Sequence, residues 1–248
     1  MPEIFELLTL TTQLQLNVKL PIKIEAEKLL SDFQAVSSNF SGQLHSIIEH
    51  HDGGWRSIGL ITSGGKVEED RHINKVGQPY LPTAALQFCP YIRELLDELP
   101  AQKKRVRFLS LEPNHEMKWH CDGTGSVDKI VNSSSSRFHI PVITSPKVEF
   151  KICHNICQWQ AGNIYYGDFS FPHSVKNNWD KRRIHLVIDL IPNDNLRSLF
   201  PDSFLRDQYK RFVLRKLCKK VYRRYWQKVK GTNEQMLLSE KNSVLAKK

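Results

Sequence analysis

The sequence predicts a mainly β fold, an antiparallel double-sheet barrel with N-terminal covering helices and a C-terminal helical extension. Three observations carry this expectation. Between residues 103 and 190, apolar residues recur at every second position in seven or more short segments, with short connections and no helix between them. Ahead of that region, two stretches carry apolar residues at helical spacing. Behind it, the helical period returns from Asp202 to Lys230.

Taken in order, residues 5 to 20 alternate in places like an edge strand, and Ile24, Leu29, Leu30, Phe33 and Val36 then form a helical stripe. His50-His51-Asp52-Gly53-Gly54 leads into a short strand at Ile58 to Ile61, which Ser63-Gly64-Gly65 closes. Polar residues and two prolines between Glu68 and Pro82 predict an ordered loop or a mobile cover. Leu86, Tyr91, Ile92, Leu95 and Leu96 mark a helix over 83 to 98 that Pro90 bends or divides.

The period then changes to 2. Val106 and Phe108 alternate with Arg107 and Leu109, Phe138 and Ile140 with Arg137 and His139, and Phe150 and Ile152 with Glu149 and Lys151. Further strands are expected at 156 to 159, 163 to 168, 172 to 177 and 183 to 190. The segment from Thr124 to Ser136 is an insertion between strands, either a lid or a tolerated surface loop. In the last region Leu205, Tyr209, Val213, Leu217, Val221, Tyr225 and Val229 form an i,i+4 series, with Leu214, Cys218, Tyr222 and Trp226 beside it. Gly231-Thr232-Asn233 offers an end to that helix.

The chain has 248 residues and a formal charge of +10, but the charge is not spread evenly. Residues 1–196 hold 21 basic and 22 acidic side chains, and residues 197–248 hold 15 and 4. The expected division is therefore a barrel domain over 1–196 and a basic helical extension over 197–248. Five cysteines show neither the paired spacing of a zinc site nor an even-numbered disulfide framework, which fits a reducing cytosol. No run of 18 apolar residues occurs, and the N-terminus lacks a leader pattern, so a soluble, cytoplasmic protein is expected.

Candidate chemistry lies in the β region. Alternate residues of a strand share a face, so His120 and Asp122 in Trp119-His120-Cys121-Asp122-Gly123 point together, and Lys118 with them. His173, after Pro172, is the natural third ligand. Two imidazoles and a carboxylate suit iron(II) and leave half of an octahedron open for a co-substrate and oxygen. Arg183 opens an alternating strand on the side of His185, opposite the apolar Ile184, Leu186 and Ile188. A buried arginine needs an anion, either a dicarboxylate ligand or an internal partner such as Asp189 or Glu149. Arg137 and His139 repeat the arrangement on another strand.

These blocks, with Arg137-Phe138-His139-Ile140-Pro141, Gly162-Asn163, Phe171-Pro172-His173-Ser174-Val175-Lys176-Asn177 and Arg183-Ile184-His185-Leu186-Val187-Ile188-Asp189, come in a telling order. Together they resemble the aspartyl/asparaginyl β-hydroxylase family of iron(II)- and 2-oxoglutarate-dependent dioxygenases, in its bacterial form and related to proline hydroxylases, over roughly residues 100 to 192. The resemblance implies a double-stranded β-helix, that is, a jelly-roll or cupin-like barrel. It also implies iron(II) as cofactor, with 2-oxoglutarate and O2 as co-substrates. His120, Asp122 and His173 correspond to the iron ligands and catalytic centre, and Arg183 to the residue that grips the distal carboxylate of 2-oxoglutarate. Arg137 and His139 correspond to co-substrate contacts near the metal. The vertebrate protein-hydroxylating members place glycine at the position of Asp122, so its retention resembles the bacterial members; halogenases of the wider superfamily leave that site open for halide, so the complete triad implies hydroxylation rather than halogenation.

The implied reaction hydroxylates an unactivated C–H, at the β-carbon of an amino acid that is free, in a peptide or on a carrier. The alternatives are hydroxylation of free proline or a similar cyclic amino acid, and a non-enzymatic barrel that binds an anion. Candidate substrate contacts are Trp55, Arg56, His51 and Lys118, while Asp168 either meets a substrate amine or caps a turn. The basic C-terminal helix covers the barrel or a second subunit of a homodimer, or docks an acidic carrier or leader peptide. No recognised nucleic-acid module accompanies its basic residues.

Overall fold

Two antiparallel sheets stacked face to face make the body of the protein, in a computed structural model that describes residues 3–45, 48–68, 78–122, 125–131 and 133–245, side chains from 230 onward and at 48 excepted. The larger sheet has the order β1 (Asn17–Lys23), β10 (Asn163–Gly167), β7 (Ser136–Ile143), β12 (Arg183–Leu190), β5 (Lys103–Leu111), β3 (Trp55–Ser63) and β2 (Gln43–Leu44), and β4 (Tyr80–Pro82) also pairs with β3. The smaller sheet runs β6 (Glu116–His120), β11 (His173–Asn177), β8 (Val148–Ile152) and β9 (Asn155–Ile156). This is the jelly-roll, cupin-like arrangement expected, with one correction. No ladder between named strands joins the two sheets among the described residues, so the barrel is not closed. Four strands, at about 4.8 Å spacing, do not span the width of a sheet with seven strands in a row.

Period-2 patterning decides which face each side chain takes. β12 lies between β7 and β5 and is buried along its whole length. Ile184, Leu186 and Ile188 pack with Phe108 and Ile140 against Leu29 and Val36 of α2 (Ala26–Asn39) and Ile92, Leu95 and Leu96 of α3 (Pro90–Glu98). Val187 turns the other way, toward Phe150, Ile152 and Val175 of the smaller sheet. The helix expected over 83 to 98 is divided at Pro90, which starts α3 after a short 3-10 turn at Ala84–Phe88.

Several expectations need correction. The stretch from 5 to 20 is a helix, α1 (Ile4–Thr11), followed by β1. A reciprocal Glu3/Glu6 capping box starts α1, and Phe5 packs edge-on against Trp119, Tyr222 and Tyr225. The strand expected at 156 to 159 stops at Ile156, because Cys157 and Trp159 turn into the space between the sheets. The strand expected at Ile58 to Ile61 extends to the nine residues of β3. Most of the 68–82 loop lies outside the described residues.

After the short helices α4 (Asp194–Arg197) and α5 (Asp202–Arg206), α6 runs from Gln208 to Leu245 without stopping at Gly231. One interior glycine costs a helix only about 1 kcal/mol. The i,i+4 series covers the body only in part: Leu205, Val221 and Tyr225 pack against it, whereas Tyr209, Val213 and Leu217 are 68, 56 and 44 % exposed. The packing face carries Arg211, Leu214, Arg215 and Cys218 instead, because both arginines find buried carboxylates there. No helix among the described residues is long and apolar enough to cross a membrane.

The described part of the 124–136 insertion is fastened down. Val127 is buried, its N–H donates to Tyr166 Oη at 3.1 Å, and its carbonyl accepts from Arg197 Nε at 2.9 Å.

Candidate metal centre

β6 and β11 are neighbours, and His120 stands opposite His173 in their register. Cross-strand partners share a face, so both rings enter the space between the sheets, their centroids 4.1 Å apart. Asp122 lies just past the end of β6, where its N–H donates to the Phe169 carbonyl at 2.9 Å. The three side chains each bring one ligand atom within 4.8 Å of the others.

The donor chemistry fits iron(II). Nδ1 of His120 donates to the Lys118 carbonyl at 2.7 Å, and Nδ1 of His173 to the Phe171 carbonyl at 3.0 Å. A carbonyl only accepts, so both rings carry their proton on Nδ1 and keep the Nε2 lone pair for a metal. Burial holds the imidazoles neutral, pushing His120 down to about 3 and lowering His173 as well. Burial alone would raise the Asp122 carboxyl; the charge of the Arg137 guanidinium leads the opposing effects and holds the group below its ordinary value. Cys121 adds no thiolate, since burial pushes its thiol up to about 12. The result is two neutral nitrogens and one carboxylate, a set suited to iron(II).

Arg137 sits beside this trio. It opposes Asp189 across β7 and β12, donates to it through Nε at 2.7 Å and Nη2 at 3.1 Å, and reaches Asp122 with Nη1. Arg107 adds an ion pair to Asp189 at 3.3 Å. These two arginines outweigh burial and hold the Asp189 carboxyl well below the usual carboxylate range.

At the other end of β12 the balance of charge is reversed. Arg183 is 1 % exposed, and no carboxylate lies within ion-pair distance of it among the described residues. Neither internal partner considered above is available: Asp189 belongs to Arg137 and Arg107, and the half-exposed Glu149 pairs with Lys151 at 3.3 Å. Burial lowers the Arg183 guanidinium to about 9, so it remains a cation at neutral pH. Its Nη2 donates to His185 Nδ1 at 2.7 Å, and its Nε has no partner. Because His185 accepts at Nδ1, its proton is on Nε2, which also lacks a partner. His139 completes the row, with its Nδ1 3.2 Å from His185 Nδ1.

Buried polar atoms without partners are rare in proteins. Of the six such side-chain atoms among the described residues, five are Trp55 Nε1, Ser57 Oγ, Trp159 Nε1, Arg183 Nε and His185 Nε2. All five residues line the interior shared by the sheets, and their concentration marks a seat for a polar ligand. A hollow of about 540 Å³, lined by Val142, Val148, Phe150, Trp159 and His185 among others, opens beside the His185 member of this row.

The expected substrate contacts divide. Trp55 belongs to the site: it stacks on His45 with centroids 3.5 Å apart and lies 6.2 Å from the His120 ring. His51 stands near it, but both its nitrogens are engaged by backbone, at His45 O and Gly53 N. Arg56 faces away, donating to the Gly42 carbonyl at 3.2 Å and lining a surface hollow with Phe33 and Ile184. Lys118 is exposed, because a β-bulge between Met117 and His120 breaks the parity that was to align it with His120. Asp168 is fully buried and pairs with Arg215 of α6 at 2.6 Å, so it holds this helix rather than a substrate amine.

Three neighbours were not singled out from the sequence. His50 stacks on His120 with centroids 4.9 Å apart, and His45 stacks on Trp55; the clustering of His45, His50 and His51 was the available signal. Phe169 gave none, as it is one apolar residue among many.

Comparison with known proteins agrees with this geometry. A family model described as aspartyl/asparaginyl beta-hydroxylase matches residues 19–192. An oxidoreductase of the 2OG-Fe(II) oxygenase family from Burkholderia pseudomallei is similar in structure, with a TM-score of 0.50 and 12 % identity over 75 % of this chain and 89 % of that one. The alpha-ketoglutarate-dependent carbocyclase SnoK from nogalamycin biosynthesis gives a TM-score of 0.47 and 14 % identity over 77 and 87 % of the two chains. HygX from Streptomyces hygroscopicus, solved with nickel and 2-oxoglutarate, gives 0.45 and 7 % over 74 and 85 %. At such identities the structural likeness speaks to fold alone, whereas the family match covers well over half of the chain. The protein belongs to the aspartyl/asparaginyl β-hydroxylase family and is an iron(II)- and 2-oxoglutarate-dependent dioxygenase.

Proposed function

We propose that the enzyme hydroxylates the β-carbon of an amino acid residue, presented in a peptide, on a carrier or free. In this proposal His120, Asp122 and His173 hold iron(II), and Arg183 holds the remote carboxylate of 2-oxoglutarate. The observation that carries it is Arg183, a buried cation without a carboxylate partner in the same interior as a two-histidine, one-carboxylate cluster. A dicarboxylate would supply the missing anion and satisfy the neighbouring donors.

A bound iron(II) and 2-oxoglutarate, with O2, supply the oxidant that converts a C–H bond to C–OH. The remaining work of the chain is placement and exclusion of water. The Nδ1–H bonds to Lys118 and Phe171 fix both imidazoles, and Arg137 fixes the Asp122 carboxylate. Arg137 and His139, on the β7 face between Asp122 and Arg183, are the candidates to meet the rest of the co-substrate. Phe150, Trp159, Phe169 and Val187 make the surroundings apolar.

Residues 1–196 carry the chemistry in this scheme, and the basic extension over 197–248 braces it through Arg211, Leu214, Arg215 and Cys218. The outer face of α6 exposes Lys216, Lys220, Arg223 and Arg224, which suits an acidic carrier or leader peptide. Five free thiols, four of them buried, fit a reducing cytoplasm. Succinate release, measured over free amino acids, aspartyl and asparaginyl peptides and carrier-bound amino acids, tests the substrate. A product heavier by one oxygen at the β-carbon supports the proposal; turnover confined to free proline contradicts it.

A further inference from the structure

α6 sends two arginines into the body of the protein, and the chemistry above uses neither. Arg211 is fully buried and donates through Nε to both oxygens of Asp128 at 3.1 and 3.0 Å, and through Nη1 to the Phe204 carbonyl at 2.7 Å. One turn on, Arg215 donates through Nε to Ser170 Oγ at 2.7 Å. Its Nη2 lies 2.6 Å from Asp168, 2.9 Å from Ser126 Oγ and 3.1 Å from Asp128. A desolvated cluster of two arginines and two aspartates gains little net stability over apolar packing, so its value lies in what it holds in place.

Asp168, Phe169 and Ser170 form the turn that leads to β11. The Phe169 carbonyl accepts the Asp122 N–H at 2.9 Å. Its ring lies 4.9 Å from the His173 ring, 4.9 Å from the His139 ring and 5.9 Å from the Arg137 guanidinium carbon. There is no slack around it: a Cβ at Gly167 would stand 2.7 Å from the ring, and one at Gly125, whose φ is +140°, would stand 3.2 Å from the Ser170 nitrogen. Arg215 grips the side chains on both sides of Phe169.

We propose that Arg215 is a positioning residue for the metal centre. By clamping Asp168 and Ser170 it fixes Phe169, and Phe169 fixes the backbone of Asp122 and the seat of His173. The same planar fork holds Ser126 and Asp128, so one side chain joins the loop after Asp122 to the turn before His173. Those two stretches adjoin the segments that carry all three candidate ligands, His120 and Asp122 before the first and His173 after the second. A lysine, with one compact ammonium, cannot span four acceptors. The inference rests on the assignment of His120, Asp122 and His173 as the iron site.

Anaerobic iron(II) titration in the presence of 2-oxoglutarate, read by the metal-to-ligand charge-transfer band, tests it alongside the thermal midpoint of the metal-free protein. The variants are Arg215→Lys, Ser170→Ala, and Arg215→Met combined with Asp168→Asn, which removes one buried charge of each sign. Leu214→Ala is the comparator, a cavity on the same helix that leaves the clamp untouched. Both Arg215 variants are expected to bind iron about 10-fold more weakly or worse, with Ser170→Ala between them and the parent. Leu214→Ala is expected to keep the parent's affinity despite a comparable loss in midpoint. Parent-like affinity in the Arg215 variants, or affinities that merely track the midpoint in all variants, would overturn the clamp. A parent without the band, or one whose band survives His173→Ala, overturns the iron site itself.

Discussion

Arg137 and Asp189 oppose each other across β7 and β12 and share two hydrogen bonds, of 2.7 and 3.1 Å, while the Nη1 of the same guanidinium reaches Asp122. One arginine thus ties the carboxylate offered to iron to the strand that carries Arg183 at its other end. Arg137→Gln removes the guanidinium that bridges Asp122 and Asp189 and leaves Asp189 to Arg107 and the neighbouring Arg105. Breaking a buried pair in this way costs on the order of 3 kcal/mol, so urea denaturation of the metal-free variant should show a loss of about that size. A change within about 0.5 kcal/mol, the range of ordinary surface substitutions, would contradict the assignment.

Arg183→Met should behave in the opposite way. It removes a buried cation that has no carboxylate partner, so the metal-free fold should be as stable as the parent or more so. Its loss should appear only with ligand present. At 100 times its dissociation constant, 2-oxoglutarate stabilises a protein that binds it by about 2.7 kcal/mol. The parent with iron should gain that amount in thermal denaturation, and Arg183→Met should gain nothing. Equal gains in both proteins would remove Arg183 from the co-substrate seat.

Stability should fall in acid, beginning well above the carboxylate range. Burial lowers His45 to about 3, His50 to about 4 and His120 to about 3, against an ordinary 6.5. Below pH 6.5 the unfolded chain takes up protons that these folded imidazoles refuse, so folding stability decreases as pH drops from 6.5 toward 3. The depressed Asp189 adds to the same trend, starting nearer its ordinary 3.8. Thermal midpoints of the metal-free protein at pH 8, 7, 6 and 5 should be level at first and then decline. A flat profile down to pH 5 would mean that these rings are not buried as described.

The two faces of α6 offer a further test. Val213→Lys and Leu217→Lys lie on the exposed stripe and should change stability by no more than about 0.5 kcal/mol. Leu214→Ala, on the packed face, should cost roughly 2–5 kcal/mol. Chemical denaturation that reversed this order would restore the i,i+4 series as the covering face.

Much of the centre was legible in the sequence because strand periodicity is local. The alternation in β12 placed Arg183 with His185 and set Leu186 against the helices, as found. Periodicity fails where pairing inserts a residue, and the bulge in β6 turned Lys118 outward while His120 stayed inside. The partners of Arg183 depended on which carboxylates other arginines had already taken, a non-local matter that spacing cannot express. The orientation of the first turns of α6 escapes hydrophobic spacing for a related reason. Hydrophobic periodicity favoured Tyr209, Val213 and Leu217, but Asp128 and Asp168, about 80 and 50 residues earlier, draw Arg211 and Arg215 inward and turn the helix with them.

The most direct measurement of the central claim is anaerobic titration of the purified protein with iron(II) and 2-oxoglutarate. The parent should develop a charge-transfer band that saturates at one iron and one 2-oxoglutarate per chain. His173→Ala should lose it through the metal, and Arg183→Met should demand far more 2-oxoglutarate to reach it. A parent that shows no band, or a band unchanged by His173→Ala, would contradict the account.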